Sequence, residues 1–350
     1  MQAWQKELTR SVTTVDGLAK KIKLTPLEIE QAKKAEANFE LLITPTFLKL
    51  MQGEDENGPI RKQVVPVSEE LKVAGCEIGD PIGDNAHSPV KGLVHRYPDR
   101  VLIWPTKNCA IHCRFCFRKH LTGPKQWFLT PLEVGEIIKY LQQHPEIQEV
   151  IFSGGDPLLM PDKLLDFWMQ KIKFVGHIKR IRFHTKLFSA LPSRITPSLL
   201  KILKQFDPVY IGIHINHPKE ISPEFIKSVK RARKAGVVLV TQTVLLRGIN
   251  DNAEILKELF LKLVNLGVKP YYLHHGDLVS GTSHLRTTME DGIKIMKQLR
   301  GYISGLAMPQ YILDIPGGHG KVPIDLNYIK KTKGKTLVSG VFGGEFDYRG

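Results

Sequence analysis

The sequence lacks the features of a secreted or membrane-embedded protein. Only four of its 350 residues are cysteine, too few for a disulfide scaffold, and a reducing setting is expected. No apolar run approaches the roughly 18 residues that a membrane span needs. The opening residues, MQAWQKELTR, are charged and do not form the apolar core of a secretory signal. These absences predict a cytoplasmic protein that contacts no membrane.

Acidic residues are outnumbered by basic ones. The chain has 50 Lys and Arg against 35 Asp and Glu, for a net charge of +15. The basic residues are spread along the chain, and runs such as KSVKRARKAG are typical of a solvated helix face. No nucleic-acid recognition motif accompanies them, so the sequence does not favour nucleic acid as the partner. Small anionic ligands explain local basic residues equally well.

Three regions differ in their hydrophobic pattern. Residues 1–95 show helical periodicity and loops, including a capping box at Thr25 and Glu28. Across residues 96–327, short β-branched runs alternate with helical patterns such as TPLEVGEIIKYLQQH. Residues 328–350 form a short C-terminal tail. Roughly six or seven strand–helix units predict an α/β fold, a partial (β/α)6-type TIM barrel on which the N-terminal helical region packs.

Unusual polar residues and glycines follow the predicted strands. Cysteines come after VLIWPT, a glycine turn comes after VIFS, and polar side chains end or follow the later strands. Because chemistry in such barrels is carried at the C-terminal ends of the strands, these residues predict one site on one face. In chain order they are Cys109, Cys113, Cys116, Gly154, Gly155, Asp156, His214, Gln242, Asp277, Asp314 and Lys321.

Three cysteines share one loop, in the pattern Cys-x3-Cys-x2-Cys. A structural zinc site would need a fourth ligand, for which His112 or His120 is available. A four-iron–four-sulfur cluster held by three thiolates would leave one iron without a protein ligand. Incidental packing of the thiols is the third interpretation. The spacing favours the cluster.

The cysteine spacing resembles that of radical S-adenosylmethionine (SAM) enzymes, and SGGDP at 153–157 resembles their second motif. The likeness narrows further over residues 75–327. The segments HRYPDRVL, HINHP, PYYLHHGDL, SHLRT and DIPGGHGK together resemble the lysine 2,3-aminomutase group. That resemblance implies an isomerase that uses a cluster, SAM and pyridoxal 5′-phosphate (PLP).

The resemblance also implies roles for individual residues. The three cysteines hold the 4Fe–4S cluster, and SAM chelates the open iron. Lys321 is the catalytic lysine that forms the Schiff base with PLP. Residues matching those around the SAM methionine are Gly154, Gly155 and Asp156, those near its adenosine are His214 and Gln242, and those around the PLP phosphate are Tyr97 and Arg100.

The implied substrate is L-lysine. Arg118 matches the residue that binds the substrate carboxylate, while Asp277 and Asp314 match the pair that binds the distal ammonium. The reaction converts (S)-α-lysine to (R)-β-lysine and needs an external electron donor such as flavodoxin or ferredoxin. The chain ends soon after Lys321 with Cys76 as its one further cysteine, which resembles the branch that supplies β-lysine to translation elongation factor P.

The residues themselves leave alternatives open. A lone Lys321 after a turn is typical of a solvated side chain, HRYPDR is compatible with a surface turn, and each Asp is compatible with a cap or turn role. An aminomutase acting on another cationic amino acid, or supplying free β-lysine, is the alternative within the enzyme class. A basic iron–sulfur protein that binds or modifies RNA is the alternative from a different class.

Overall fold

The computed structural model describes residues 1–119, 121–122, 127–332 and 335–347. Four short helices lie in the N-terminal region: α1 (Ala3–Leu8), α2 (Val15–Ala19), α3 (Pro26–Glu36) and α4 (Pro45–Leu50). The capping box predicted at the start of α3 is present, since Thr25 and Glu28 each accept the other's backbone N–H. Ile43, Phe47 and Val64 of this region pack against Ile111. The N-terminal region therefore contacts the cysteine loop directly.

The remainder of the chain alternates strands and helices. The strands are β1 (Leu93–Tyr97), β2 (Arg100–Thr106), β3 (Glu149–Gly154), β4 (Arg180–Thr185), β5 (Val209–His214), β6 (Val238–Val244), β7 (Lys269–His274), β8 (Gln310–Asp314) and β9 (Lys321–Pro323). The helices are α5 (Pro131–Gln143), α6 (Asp162–Lys173), α7 (Leu187–Ala190), α8 (Pro197–Leu203), α9 (Pro223–Lys234), α10 (Ala253–Asn265) and α11 (Met289–Leu299). Strands β2 to β8 coincide, in order, with the seven runs that the sequence predicts as strands: DRVLIWPT, QEVIFSGG, KRIRFHT, PVYIGIH, VVLVTQT, KPYYLHH and PQYILDI.

The nine strands form one sheet in sequence order. Strands β2 to β8 pair in parallel, whereas β1 and β9 pair antiparallel at the two edges. No ladder joins β1 to β9 among the described residues, yet the Lys321 backbone N–H donates to the Tyr97 hydroxyl at 2.8 Å. The sheet is thus a partial barrel whose edges meet at a side chain. The predicted fold class is confirmed.

Apolar helix faces cover the outside of the sheet. Trp168 of α6, Phe225 of α9 and Phe260 of α10 are fully buried, and Phe152 of β3 stacks on Phe183 of β4 at 5.0 Å between ring centroids. This core fixes the strands, so the residues at their C-terminal ends are held on a rigid frame. No helix of the described chain is long and apolar enough to cross a membrane.

The segment assigned to a C-terminal tail contains a second, antiparallel sheet. Its strands are β10 (Ile329–Thr332), β11 (Lys335–Ser339) and β12 (Glu345–Asp347), paired in that order. Residues 333–334 and 348–350 of the segment lie outside the described residues. Sequence reasoning missed these strands because IKKTKGKTLVSG is too polar to show a buried face.

A buried ion pair ties the N-terminal region to the cysteine loop. Both guanidinium edge nitrogens of Arg114 donate to the Glu70 carboxylate, at 2.8 and 2.6 Å, and Arg114 also donates to the carbonyls of Phe39 and Glu40. Lys119 lies 3.2 Å from the same carboxylate. Neither partner of the main pair reaches solvent, so losing one would leave the other charge buried and uncompensated.

Glu70→Gln is therefore expected to destabilise the protein. Breaking a buried pair of this kind costs about 3–5 kcal/mol of unfolding free energy, measurable by urea denaturation. Lys34→Ala is the control, because the pair of Lys34 with Glu30 is exposed and its loss should leave the midpoint nearly unchanged. Equal midpoints for the two variants would contradict a structural role for the Arg114–Glu70 pair.

Candidate active site

A cavity of about 520 Å³ opens at the C-terminal ends of the barrel strands. Every residue that the sequence assigned to a cofactor or to the substrate lines it. These are Tyr97, Arg100, Cys109, Cys113, Cys116, Arg118, Gly154, Gly155, Asp156, His214, Gln242, Asp277, Asp314 and Lys321. The structure brings all of them together, and the group that each one binds stays a prediction.

The three cysteines lie on the loop that follows β2 and border the cavity. Burial raises the pKa of Cys113 to about 12, against which the nearby Lys186 acts only partly, and burial likewise raises the pKa of Cys109 and Cys116. A thiolate is therefore stable here only when a strong positive charge faces it. A bound metal supplies such a charge and deprotonates its thiol ligands.

The zinc interpretation finds no support in the part of the chain that the structure describes. No three His, Cys, Asp or Glu side chains there converge as ligands of a single ion. His112 is used elsewhere, with Nδ1 3.0 Å from the Glu40 carbonyl and its ring stacked on Phe39. His120 lies outside the described residues. A cubane makes no such demand, because each of its cysteines binds a different iron.

The glycine turn after β3 comes very close to the cysteine loop. Gly154 has φ +94°, and a Cβ on Gly155 would lie 2.4 Å from the Asn108 carbonyl oxygen. Only glycine fits either position. Asp156 accepts hydrogen bonds from the Thr185 hydroxyl at 2.8 Å and the Lys186 backbone N–H at 2.9 Å. Its buried carboxylate, with a pKa raised to about 6 by burial, therefore holds the turn in place.

His214 and Gln242 are neighbours on adjacent strands. The parallel register of β5 and β6 places them side by side, toward the C-terminal end of each strand. The His214 ring stacks on Phe115 at 5.4 Å between centroids, and burial lowers its pKa well below the ordinary value. An uncharged imidazole and an amide thus face the cavity beside the cysteine loop.

Lys321, Tyr97 and Arg100 form one corner of the cavity. The Lys321 backbone N–H donates to the Tyr97 hydroxyl at 2.8 Å, and the Arg100 guanidinium lies over the Tyr97 ring at 3.8 Å. The Lys321 ammonium forms an ion pair with Asp314. A primary amine, a phenol and a guanidinium therefore meet within one small region.

Arg118 is held by a residue that sequence reasoning did not single out. Its Nε and Nη2 lie 2.8 and 2.7 Å from one carboxylate oxygen of Asp84, and its guanidinium lies 4.4 Å from the Phe117 ring centroid. Asp84 also pairs with Arg96 at 3.1 Å. Asp84 lies in the turn-rich segment GDPIGDNAH, where nothing in the pattern separates it from the other turn residues.

Asp277 and Asp314 have opposite electrostatic environments. Burial raises the pKa of Asp277, and the charge of Asp314 adds to that effect, to reach about 7. Burial would also raise the pKa of Asp314, but the adjacent His274 and the charge of Lys321 outweigh it and lower the pKa to about 2. Near neutral pH, Asp314 is therefore ionised, whereas Asp277 is close to the midpoint of its titration.

Several further polar residues line the same cavity. Arg182 donates to Glu149 at 2.8 Å, and the hydroxyls of Tyr271 and Tyr272 are 2.9 Å apart. His184 of β4 faces Gly212 of β5, where a Cβ would lie 2.9 Å from the imidazole. Sequence reasoning missed these residues because they occupy ordinary positions within strands. The inward period-two positions of RIRFHT were the available signal.

Comparison with known proteins places the fold and the site in a class. The model of the Radical SAM superfamily matches residues 103–260, and the Lysine-2,3-aminomutase model matches residues 296–345. L-lysine 2,3-aminomutase of Clostridium subterminale is 39% identical, covering 93% of this chain and 78% of the relative. Glutamate 2,3-aminomutase of Clostridioides difficile is 37% identical, covering 93% and 76%. L-lysine 2,3-aminomutase of Buchnera aphidicola is 35% identical, covering 93% and 96%.

Fold, cysteine loop and family match together define a radical SAM enzyme. Within that class the chain belongs to the L-lysine 2,3-aminomutase family, and it is an isomerase of the aminomutase type. The cofactors of such an enzyme are a 4Fe–4S cluster, SAM and PLP. The residues present fit these groups. Three enclosed thiols on one loop suit iron, a turn without Cβ atoms suits close approach by a ligand, and an amine beside a phenol and a guanidinium suits an aldehyde phosphate.

The cysteine loop generates a direct test of the cluster ligands. Replacing Cys109, Cys113 or Cys116 by Ala removes one of three thiolates, and each variant is expected to lose most of its iron and acid-labile sulfide after anaerobic reconstitution. Cys76→Ala is the control, since Cys76 is exposed and outside the cavity. Wild-type iron content in Cys113→Ala would show that the loop does not hold a cluster through all three residues.

The raised pKa of Asp277 predicts a pH-dependent gain in stability for Asp277→Asn. The folded-state pKa, about 7, lies above the ordinary value of 3.8, so the native state loses stability as the pH rises from about 4 through 7. Asn does not ionise and avoids this loss. In the cofactor-free protein, the variant's gain in melting temperature should be larger at pH 8 than at pH 5. A gain that does not change with pH would contradict the burial of an ionisable Asp277.

Proposed function

We propose that the enzyme is an L-lysine 2,3-aminomutase that converts (S)-α-lysine into (R)-β-lysine. The observation that supports this most strongly is the charge distribution of one cavity, which is lined by Arg118 and by the pair of Asp277 and Asp314. Lysine carries one carboxylate and one distal ammonium, so its charges complement those of the cavity. Without a ligand ammonium, placing two carboxylates side by side in this enclosed cavity would be energetically unfavourable.

Cys109, Cys113 and Cys116 would hold the cluster, which would supply the electron for cleavage of SAM into methionine and a 5′-deoxyadenosyl radical. The turn of Gly154 and Gly155 lets the chain approach the methionine part of SAM, with Asp156 fixing that turn. Residues His214 and Gln242, adjacent on β5 and β6, take the adenosine part. The protein's contribution is to orient this cofactor toward the cavity and to exclude water and oxygen.

Lys321 would hold PLP through its amine, and PLP would supply the chemistry that lets an amino group move from C2 to C3. Tyr97 and Arg100 bind its phosphate, as hydroxyl and guanidinium donors suit a dianion. Their contacts with Lys321 and with each other, at 2.8 and 3.8 Å, support placing the phosphate in the same corner as the amine. Lys321 lies in this corner because it is the first residue of the antiparallel edge strand β9.

Arg118 binds the substrate carboxylate through a charge-assisted hydrogen bond. The Asp84 carboxylate pairs with the Nε and Nη2 of Arg118. The Phe117 ring limits rotation of the Arg118 guanidinium. The guanidinium is therefore oriented before the substrate arrives, which reduces the entropy lost on binding. Among the described residues, the outer edge that includes Nη1 has one long contact, at 3.4 Å to the Ser153 hydroxyl, so it is available to the substrate.

Glutamate is the alternative substrate, because a relative carries the name glutamate 2,3-aminomutase at 37% identity. The acidic pair argues against it. Glutamate would bring a second carboxylate toward Asp277 and Asp314, and like charges in an enclosed cavity repel strongly. The distal ammonium of lysine would instead favour the ionised form of Asp277 and form an ion pair with it.

The role of the product is a narrower proposal that rests on the sequence resemblance alone. We propose that the β-lysine modifies translation elongation factor P, and that flavodoxin or ferredoxin reduces the cluster. The experiment is intact-mass analysis of elongation factor P from cells with and without this gene. An unchanged mass would leave an aminomutase that supplies free β-lysine.

The substrate proposal predicts a specificity pattern for the reduced, fully loaded enzyme under anaerobic conditions. Lysine should yield β-lysine, whereas norleucine, with a methyl group in place of the ammonium, and glutamate should be poor substrates. Asp277→Asn should lower kcat/KM for lysine roughly tenfold to a hundredfold, since one charge-assisted contact of ~1.5–3 kcal/mol is lost. The same variant should discriminate less against norleucine. Undiminished preference for lysine in Asp277→Asn would exclude the acidic pair as the ammonium site.

A further inference from the structure

Asp314 and Lys321 face each other across two paired strands. Asp314 ends β8, Lys321 begins β9, and the antiparallel register makes them direct partners. Directly opposed residues in an antiparallel pair project to the same face of the sheet. The backbone pairing of β8 and β9 therefore places the two side chains next to each other on one face of the sheet. The Lys321 ammonium forms an ion pair with Oδ1 of Asp314.

The backbone around Lys321 is restrained on both sides. The Ile315 N–H donates to the Gly320 carbonyl at 2.8 Å, closing the turn between the strands, and the Lys321 N–H donates to Tyr97 at 2.8 Å. Gly320 has φ +97°, a conformation open to glycine. The lysine stem thus starts from a fixed point, and its amine stays within reach of Asp314.

Asp314 has a single cationic partner among the described residues. Lys321 contacts one carboxylate oxygen, while Nδ1 of His274 lies 3.7 Å from the other. Burial lowers the pKa of His274, so its imidazole is uncharged near neutral pH. The Asp314 side chain is 6% exposed and that of Lys321 is 29% exposed. Because Asp314 is the more deeply buried of the two, losing the ion pair would destabilise the Asp314 charge more than the Lys321 charge.

We propose that Asp314 is the counter-ion of the Lys321 nitrogen in the resting enzyme, and that Asp277 is the first of the two carboxylates to receive the substrate's distal ammonium. This inference rests on the proposed attachment of PLP to Lys321. An ionised carboxylate beside the imine nitrogen stabilises its protonated form, which is the form more reactive toward an incoming amine. The two aspartates then have separate duties before substrate binds.

The separation follows from the surroundings of each carboxylate. Asp277 has no side-chain hydrogen bond or ion pair with any described residue, so it is free for a ligand. Asp314 is already paired. When the substrate's amine replaces Lys321 on the cofactor, one C–N double bond forms as another is lost, and one proton passes from the incoming nitrogen to the departing lysine. That single proton transfer releases Lys321 as a neutral amine, and once this amine takes up a proton from solvent, the resulting ammonium pairs again with the Asp314 carboxylate.

The test is the pH dependence of the absorbance band of the PLP imine, recorded anaerobically without substrate. Loss of the counter-ion in Asp314→Asn should lower the midpoint of the band's titration by about one pH unit or more. Asp277→Asn is the matched control, because it removes a carboxylate from the same cavity that does not contact Lys321, and its shift should be smaller. Asp314→Glu, which keeps the charge, should lie closer to wild type than Asp314→Asn does.

Other titrating or charged groups face the pair, and each is kept in every variant except Asp277→Asn, which removes one of them. They are Tyr97, Arg118, Arg182, His184, His274 and Asp277. A second measurement avoids the cofactor altogether. Acetylation of Lys321 in the cofactor-free protein, followed by peptide mapping, should be severalfold faster at pH 8 in Asp314→Asn than in wild type or Asp277→Asn. Circular dichroism melting confirms that each variant is folded.

The outcomes separate this inference from the proposed function. Lys321→Ala should lose the imine band and keep the cluster absorbance, which also provides the baseline for the titrations. If the band persists in Lys321→Ala, the proposed attachment of PLP is wrong. If the band is lost there, yet Asp314→Asn titrates and acetylates as wild type or as Asp277→Asn does, the attachment stands and Asp314 is not the counter-ion.

Discussion

The active site depends on the buried ion pair of Arg114 and Glu70. Arg114 lies between Cys113 and Cys116, on a loop whose described residues form no helix or strand. Its guanidinium donates to the Glu70 carboxylate and to the carbonyls of Phe39 and Glu40. These contacts anchor the loop to the N-terminal region. The N-terminal region thus restrains the loop that carries the three cysteines assigned to the cluster.

Charge separation within one cavity is the second organising principle. Asp277 and Asp314 are the same residue type in the same cavity, yet their pKa values move in opposite directions. The difference comes from His274 and Lys321, which lie beside Asp314, whereas the buried Asp277 has no side-chain partner among the described residues. Arg118 is similarly matched in advance by Asp84. A charged group assigned to a ligand is therefore either oriented by a charged neighbour, as Arg118 is by Asp84, or has no side-chain partner among the described residues, as is the case for Asp277.

The barrel was predictable because most of its strands contain short runs rich in β-branched residues and end at polar residues. VIFSGG, VYIGIH and VVLVTQT each show a buried strand and the point where it stops, so the pattern alone placed Gly154, His214 and Gln242 on one face. Asp84 and His274 could not be placed. Asp84 is one of several turn residues whose partner is 34 positions away, and His274 ends its strand within a run of polar letters. Contacts between distant segments carry no local pattern, and they account for what sequence reasoning missed.

The seam of the barrel has a thermodynamic consequence. Edge strands β1 and β9 share no described backbone ladder and meet at the Tyr97 hydroxyl and the Lys321 N–H. The residues assigned to PLP lie on both sides of that seam, with Tyr97 and Arg100 on one side and Lys321 on the other. A cofactor held from both sides acts as a crosslink between the first and last strands. Because a ligand that binds only the native state stabilises it by mass action, PLP bound by residues of both edges would raise the stability of the partial barrel.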